Sequence, residues 1–258
     1  MNNDALMRFE HLTKNYFPKS GEPVQAVRDV SLSVNQGEIL GIAGESGCGK
    51  TTLGLLASGL IRPDFGRVMF GDVCLSELSS RQRREYRKQI QMIFQDSYSS
   101  LDPRMKIRDI LSEPFSVHKL CRTSAERADR ICELLSEVGL EEDILSRYPG
   151  SLSGGQRQRV SIARALSVKP SFLICDEPVS SLDISVQNQI LVLIRRLQKD
   201  HGLTVLFISH DLSVLRAVSD RIAVMRDGSI CEVGNTEQIY SHPTHPYTVS
   251  LLNAISDT

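Results

Sequence analysis

The chain has 258 residues, 41% of them hydrophobic and 24% charged, a composition ordinary for a globular protein and a length that suits one large α/β domain or a core carrying an inserted subdomain. Its net charge of −1 supplies no overall basic field for nucleic acid, and no apolar run approaches the roughly 20 residues needed to span a bilayer. Six cysteines (Cys48, Cys74, Cys121, Cys132, Cys175 and Cys231) include no CxxC pair, a pattern of free thiols in a reducing compartment rather than of a disulfide framework. The first residues, MNNDALMRFEHL, lack the basic start and apolar core of a secretory signal.

In chain order, Leu6 to Phe17 alternates and breaks at PKSGEP, which predicts an edge strand and a turn. Ala26 to Val34 alternates again, with Asn35-Gln36-Gly37 as a turn after it. EILGIAG, 38–44, is short, nearly all apolar and ends in glycine, as a buried parallel strand should. KTTLGLLASGL follows with Leu53, Leu56 and Leu60 at helical spacing. RVMFGDVCL predicts extended structure, about 79–88 a charged helix, and IQMIFQ a strand. The basic run Arg81, Arg83, Arg84, Arg87 and Lys88 reads as a solvated face of that helix.

Residues 105–165 are predicted mostly helical. Ile131, Leu134, Leu135 and Val138 share one face of the clearest helix, with Gly139 near its end. SFLICDE and TVLFISH are further buried strands, separated by an amphipathic helix bearing Val186, Ile190, Ile194 and Leu197. A short helix and a hairpin turning at Asp227-Gly228 follow. The alternation predicts a parallel sheet covered on both faces, interrupted by a helical subdomain.

Gly44, Gly49, Lys50 and Thr51 fit G-x-x-x-x-G-K-[ST] between a strand and a helix, the context that motif requires. Over Gly44, Glu45, Ser46, Gly47, Cys48, Gly49, Lys50, Thr51 and Thr52, the glycines let successive N–H groups point into one concavity for phosphate oxygens. The helix N-terminus adds its positive end. Lys50 can reach the β- and γ-phosphates of a nucleoside triphosphate, and the Thr51 hydroxyl can ligate Mg²⁺. At the next strand end Asp176 suits Mg²⁺, while Glu177 can accept a proton from a water in line with the γ-phosphate; a solvated turn is the plainer reading of two adjacent carboxylates. His210 ends TVLFISH and can position that water. Gln95 closes IQMIFQ, and its amide can ligate Mg²⁺ and sense the γ-phosphate.

LSGGQRQRV, 152–160, makes the pattern specific. Ser153-Gly154-Gly155-Gln156 resembles the signature of ATP-binding cassette (ABC) ATPases, placed before the CDEP strand as in that family. The resemblance covers essentially the whole chain. It implies a P-loop α/β fold with a mixed sheet core, an N-terminal antiparallel β part and an inserted helical subdomain. It implies ATP and Mg²⁺ as ligands, with Thr51, Gln95 and Asp176 holding the metal. It further implies a head-to-tail pair of ATPase subunits, in which Ser153, Gly154, Gly155, Gln156 and Asp183 complete the partner's site. A helix N-terminus near Gly155 supplies the second anion site. Ser180-Ser181-Leu182-Asp183 resembles the loop that contacts the partner, and either Tyr16 or Phe17 occupies the place of the aromatic that stacks on adenine.

FQDSYSSLDPRMKIRDILSEP and the tail SHPTHPYTVSLLNAI resemble importer ATPases of the oligopeptide, dipeptide and nickel family. Ser97 and Asp102 depart from its commoner Pro and Asn, and Ser97 leans toward a metal substrate. The implied organisation is a single nucleotide-binding domain, 1–258: a core with an antiparallel part over 1–95 and 168–234, a helical subdomain over 96–167, and a tail over 235–258. The implied partners are a second, related but non-identical ATPase subunit, two transmembrane permease subunits and an extracytoplasmic solute-binding protein, without nucleic acid. The chain would lie peripherally on the cytoplasmic face of the inner membrane. No cysteine cluster follows the tail, so no iron–sulfur centre is expected. His242 and His245, with prolines beside them, read as a turn into a helix on which Tyr247, Leu251 and Ile255 form an apolar stripe. The alternative function is a soluble ABC ATPase of a ribosome- or DNA-bound machine. Each motif occurs once and no long heptad array intervenes, which favours the importer.

Overall fold

A computed structural model describes residues 5–18, 21–96, 98 and 100–256, with side chains through 254. Ser97, and the side chain of Ile255, lie outside the described residues. Strand β1 (Ala5–Tyr16) pairs antiparallel with β2 (Val24–Asn35) on one side. On its other side lies a strand over Phe65–Phe70, which in chain order is β4; β5 (Val73–Cys74) completes the sheet order β2-β1-β4-β5. The expected edge strand is therefore an interior one. Alternation reports which face of a strand is buried; edge position depends on backbone pairing, which side chains do not reveal.

The larger sheet contains β3 (Ile39–Ala43), β6 (Ile90–Ile93), β7 (Phe172–Asp176), β8 (Thr204–Ile208), β9 (Arg221–Arg226) and β10 (Ser229–Asn235). Its order is β10-β9-β3-β8-β7-β6, parallel except for β10. The hairpin turns at Asp227 (φ 47°) and Gly228 (φ 85°), a turn whose twist suits antiparallel strands. Both faces are covered. Leu40, Ile42, Phe172, Ile174, Leu206 and Ile208 join Phe9 and Leu12 of the antiparallel sheet in one core, with helix α1 (Lys50–Ala57) contributing Leu53 and Leu56. The alternate residues Ile39, Leu173, Cys175, Val205 and Phe207 face the other core. That single-residue alternation explains why each strand reads as continuously apolar.

Helix α1 stops short of the predicted Leu60, which is half exposed. Gly59 takes φ 67° and Leu60 N–H turns back to Leu55 O at 3.2 Å, a helix-ending arrangement that glycine permits. Helix α2 (Ser80–Gln89) opens with a Ser79–Gln82 capping box and buries no residue, as its charge predicts. Between β6 and β7 lie α3 (Ile107–His118), α4 (Ser124–Val138) and α5 (Gly154–Leu166). Thr123 and Gly139 cap α4, and its predicted apolar face is buried. These helices share the second core with α6 (Ile184–His201) and α7 (Leu212–Val218).

After β10 come α8 (Thr236–Ser241) and α9 (Pro246–Ser256). His242 and His245 lie in the turn between them, as expected, with Tyr247 buried and Leu251 packed on the core. All six cysteines are free. Among the described residues no helix is long and apolar enough to cross a membrane.

Candidate functional site

The loop after β3 is pressed between two strands. A Cβ on Gly44 (φ 150°) would lie 2.2 Å from Met225 O of β9, and one on Gly49 (φ 109°) 2.1 Å from Ala26 O of β2. Both positions therefore require glycine on conformational and steric grounds. The hairpin turn also ties the loop down, since Gly228 N–H donates to Cys48 O at 3.0 Å.

Lys50 opens α1 with its side chain buried. Its Nζ donates to Gly44 O and Glu45 O, both at 2.7 Å. Among the described residues no carboxylate lies within ion-pair distance of it. A buried ammonium bonded to carbonyls, with Asp176 near enough to attract it but not in contact, fits an anionic ligand. Burial pushes the neighbouring Cys48 thiol up, against the pull of Lys50.

A cleft of ≈ 720 Å³ opens over the loop. Ser46, Gly47, Gly49, Lys50, Thr51 and Thr52 form its floor, and Tyr16 and Ala26 also line it. Gln95, Glu177, Ser180, Ser181 and His210 line the rest. Phe17 does not line it and is 77% exposed. Gly44 is buried behind the floor, and neither Glu45 nor Cys48 lines the cleft.

Thr51 Oγ1 donates to Asp176 Oδ1 at 3.2 Å. Burial pushes the Asp176 carboxyl up, with Thr51 pulling it down and Glu177 adding to the rise. A desolvated carboxylate beside a hydroxyl is a donor set suited to a hard cation such as Mg²⁺. Glu177 is held more tightly than its sequence context suggests. Its φ is 45°, rare for a non-glycine residue and found where surrounding structure enforces it. Its N–H donates to Ile208 O at 3.0 Å, and its side chain is only 12% exposed. Gln95 Nε2 donates to Glu177 Oε2 at 2.9 Å, and His210 Nδ1 to Oε1 at 3.0 Å. Gln95 and His210 each sit two residues beyond their strand ends, Ile93 and Ile208. Two candidates, from the ends of β6 and β8, thus converge on the carboxylate that follows β7.

The signature segment lies elsewhere. Ser153 N-caps α5, accepting from Gln156 N at 3.2 Å, while Gln156 Oε1 accepts from Ser153 N at 3.0 Å. Helix α5 accordingly starts at Gly154, as the expectation of an N-terminus near Gly155 has it. A Cβ on Gly155 would fall 2.6 Å from Val186 Cγ1, and one on Gly154 2.9 Å from Leu182, so the signature packs against the start of α6. Asp183 caps that helix by accepting from Val186 N at 3.0 Å, and the Ser185 hydroxyl bonded to it lowers its pKa. Ser153, Gly154, Gly155, Gln156 and Asp183 do not line the cleft of their own chain. Sequence reasoning missed Ala26, whose carbonyl backs Gly49; nothing in its sequence neighbourhood signals that.

A glycine-lined anion cradle between a parallel strand and a helix, beside a strand-end carboxylate pair, defines a P-loop nucleotide-binding protein. The family model described as ABC transporter matches residues 27–180. The oligopeptide transport ATP-binding protein OppF of Streptococcus mutans is 45% identical over 256 residues, 99% of this chain and 83% of that protein. The dipeptide transport ATP-binding protein DppF of Lactococcus lactis is 49% identical over 90% of this chain and 75% of its own length. Among solved structures, a dimeric post-hydrolysis state of an ATP-binding cassette bound to ADP and Pi superposes with TM-score 0.81 at 29% identity, over 89% of this chain and 98% of that one. A cassette from Clostridium perfringens, part of an ABC transporter complex, gives 0.80 at 28% identity, over 93% and 92%. The chain belongs to the ABC transporter family.

Proposed function

We propose that this protein is the ATP-hydrolysing subunit of a peptide importer, with Glu177 as the general base. The observation that carries the base assignment is the clamp of Gln95 and His210 on Glu177 at the end of the Lys50 cleft. The peptide assignment is supported by relatives named for oligopeptide and dipeptide transport. The lean of Ser97 toward metal has no such support.

In this reading the backbone N–H groups over 46–52 and Lys50 hold the phosphates, and Tyr16 stacks on the adenine. Thr51, Asp176 and Gln95 would hold Mg²⁺, which when bound would neutralise phosphate charge. Glu177 takes the proton of the attacking water while His210 orients it. Ser153, Gly154, Gly155, Gln156 and Asp183, which do not line their own cleft, serve a facing subunit's cleft. A groove of ≈ 520 Å³ between α2, α3 and α5, lined by Arg84, Arg87, Phe94, Glu113 and Arg164, receives a helix of the membrane subunit. In the same reading the chain lies peripherally on the cytoplasmic face of the membrane, with a second ATPase subunit, two permeases and an extracytoplasmic binding protein as partners. The domain divisions expected above stand as part of this proposal.

The test is Glu177→Gln. It should keep ATP affinity, accumulate a closed dimer on gel filtration, and release phosphate about 10²- to 10⁴-fold more slowly. Turnover at the wild-type rate would remove the base assignment. Affinity isolation from native membranes should recover two multi-span proteins and a second ATPase; recovery of ribosomal proteins without them would overturn the transport reading.

A further inference from the structure

The C-terminal tail reaches the phosphate loop. Glu45 N–H donates to Tyr247 Oη at 3.3 Å, across 202 positions of sequence. The carbonyl of the same peptide unit, Gly44 O, accepts from Lys50 Nζ at 2.7 Å. A trans peptide points its C=O and N–H in opposite directions, so this unit is gripped on both sides, by Lys50 and by Tyr247. Lys50 also bonds the next carbonyl, Glu45 O, so the tilt of the Gly44–Glu45 peptide governs where the ammonium sits.

Tyr247 is itself well fixed. It is 7% exposed, and its ring centre lies 4.8 Å from the guanidinium carbon of Arg226. Arg226 ends β9, and the residue before it, Met225, backs Gly44 with its carbonyl. Just ahead of Tyr247, Glu232 accepts from Thr244 N and Thr244 Oγ1 at 2.8 Å and from His245 N at 3.1 Å. Strand β9, the tail and the phosphate loop therefore converge on one peptide unit.

We propose that Tyr247 is a positioning residue for nucleotide binding: its hydroxyl fixes the Gly44–Glu45 peptide, and through it Lys50, so that the loop is curled for phosphate before nucleotide arrives. This rests on the nucleotide reading above. Without the hydroxyl, Glu45 N–H loses its acceptor and the peptide can rotate, so ordering the loop is charged to binding. Glu177, Gln95 and His210 are untouched, so the effect falls on affinity rather than on the chemical step.

The experiment compares the full chain with Tyr247→Phe and Tyr240→Phe. Tyr240 is the control, since it also sits in the tail but its hydroxyl bonds Leu212 O, away from the loop. Binding of ADP is measured by calorimetry, KM and kcat for ATP by phosphate release, and exchange of the Glu45 amide by NMR without nucleotide. Tyr247→Phe should weaken ADP binding and raise KM about three- to tenfold, the range for one lost hydrogen bond. It should leave kcat nearly unchanged and speed exchange at Glu45, and Tyr240→Phe should do none of these. Wild-type ADP affinity in Tyr247→Phe would overturn the inference, as would equal weakening in Tyr240→Phe, which would mean general loosening of the tail. Failure of the wild-type chain to bind ADP would instead overturn the nucleotide reading, and this inference with it.

Discussion

Glu232→Gln tests how the tail is held. Glu232 lies in β10, 9% exposed, and faces the turn that leads into α9. Burial works to raise its pKa, but the Thr248 and Thr244 hydroxyls and the amides of Thr244 and His245 outweigh it and hold the carboxylate at about 2. The Thr244 and His245 bonds are formed, whereas the Thr248 hydroxyl makes no hydrogen bond, so its share of the fall is set aside. A fall from 4.5 to about 2, at about 1.4 kcal/mol per pKa unit, sets a ceiling of roughly 3 kcal/mol of stability, and leaving out Thr248 lowers it toward about 2. The folded pKa is depressed, so below 4.5 the unfolded chain binds the proton that the folded chain still refuses. The contribution is therefore complete above about pH 4.5 and is lost as pH falls toward about 2. Glu232→Gln removes the charge and keeps the shape. Urea unfolding should show the variant about 2–3 kcal/mol less stable at pH 7, with the gap narrowing by about 1 kcal/mol at pH 3.5. Equal stability at pH 7, or a gap independent of pH across that interval, would refute the reasoning.

Other substitutions probe the cleft. Lys50→Ala should weaken nucleotide binding about 10- to 100-fold, the range for losing a charge-assisted hydrogen bond, and direct binding of a fluorescent ATP analogue would show it; unchanged affinity would exclude Lys50 as the phosphate ligand. Gly49→Ala drives a methyl into Ala26 O at 2.1 Å and should cost about 1–3 kcal/mol of stability, visible as a lower melting temperature and absent if the loop can move aside freely. Tyr16→Ala should reduce ATP affinity about 5-fold or more through lost stacking. Phe17→Ala, outside the cleft lining, should leave it unchanged, and the reverse order would reassign the adenine contact.

Much of the site was legible because its chemistry is local. The loop from Gly44 to Thr52 needs glycines at fixed offsets, a lysine and a hydroxyl, and these are adjacent in sequence. The carboxylates follow a strand that advertises itself by four apolar residues. The charged face of α2 and the buried stripe of α4 were legible for a similar reason, since helical spacing maps directly onto a face. Leu60 failed that rule because the helix ends at Ala57 and Gly59 turns out of it, and glycine permits either continuation or a left-handed exit. The interior place of β1 failed because pairing partners 50 or more residues away leave no trace in a strand's own alternation.

Residue type and local spacing alone name the candidate groups of the site: an ammonium, a hydroxyl, two carboxylates, an amide and an imidazole, each at the end of a recognisable element. How they meet was settled by the packing of distant segments. That packing placed Gln95 and His210 on one Glu177 carboxylate, left Tyr16 rather than Phe17 in the cleft lining, and kept the signature out of that lining. It also carried Tyr247 across the molecule to Glu45. The reason is physical: residue type and local spacing set chemistry and secondary structure, whereas the order of strands in a sheet, and so which strand ends become neighbours, is fixed by packing between segments distant in the chain.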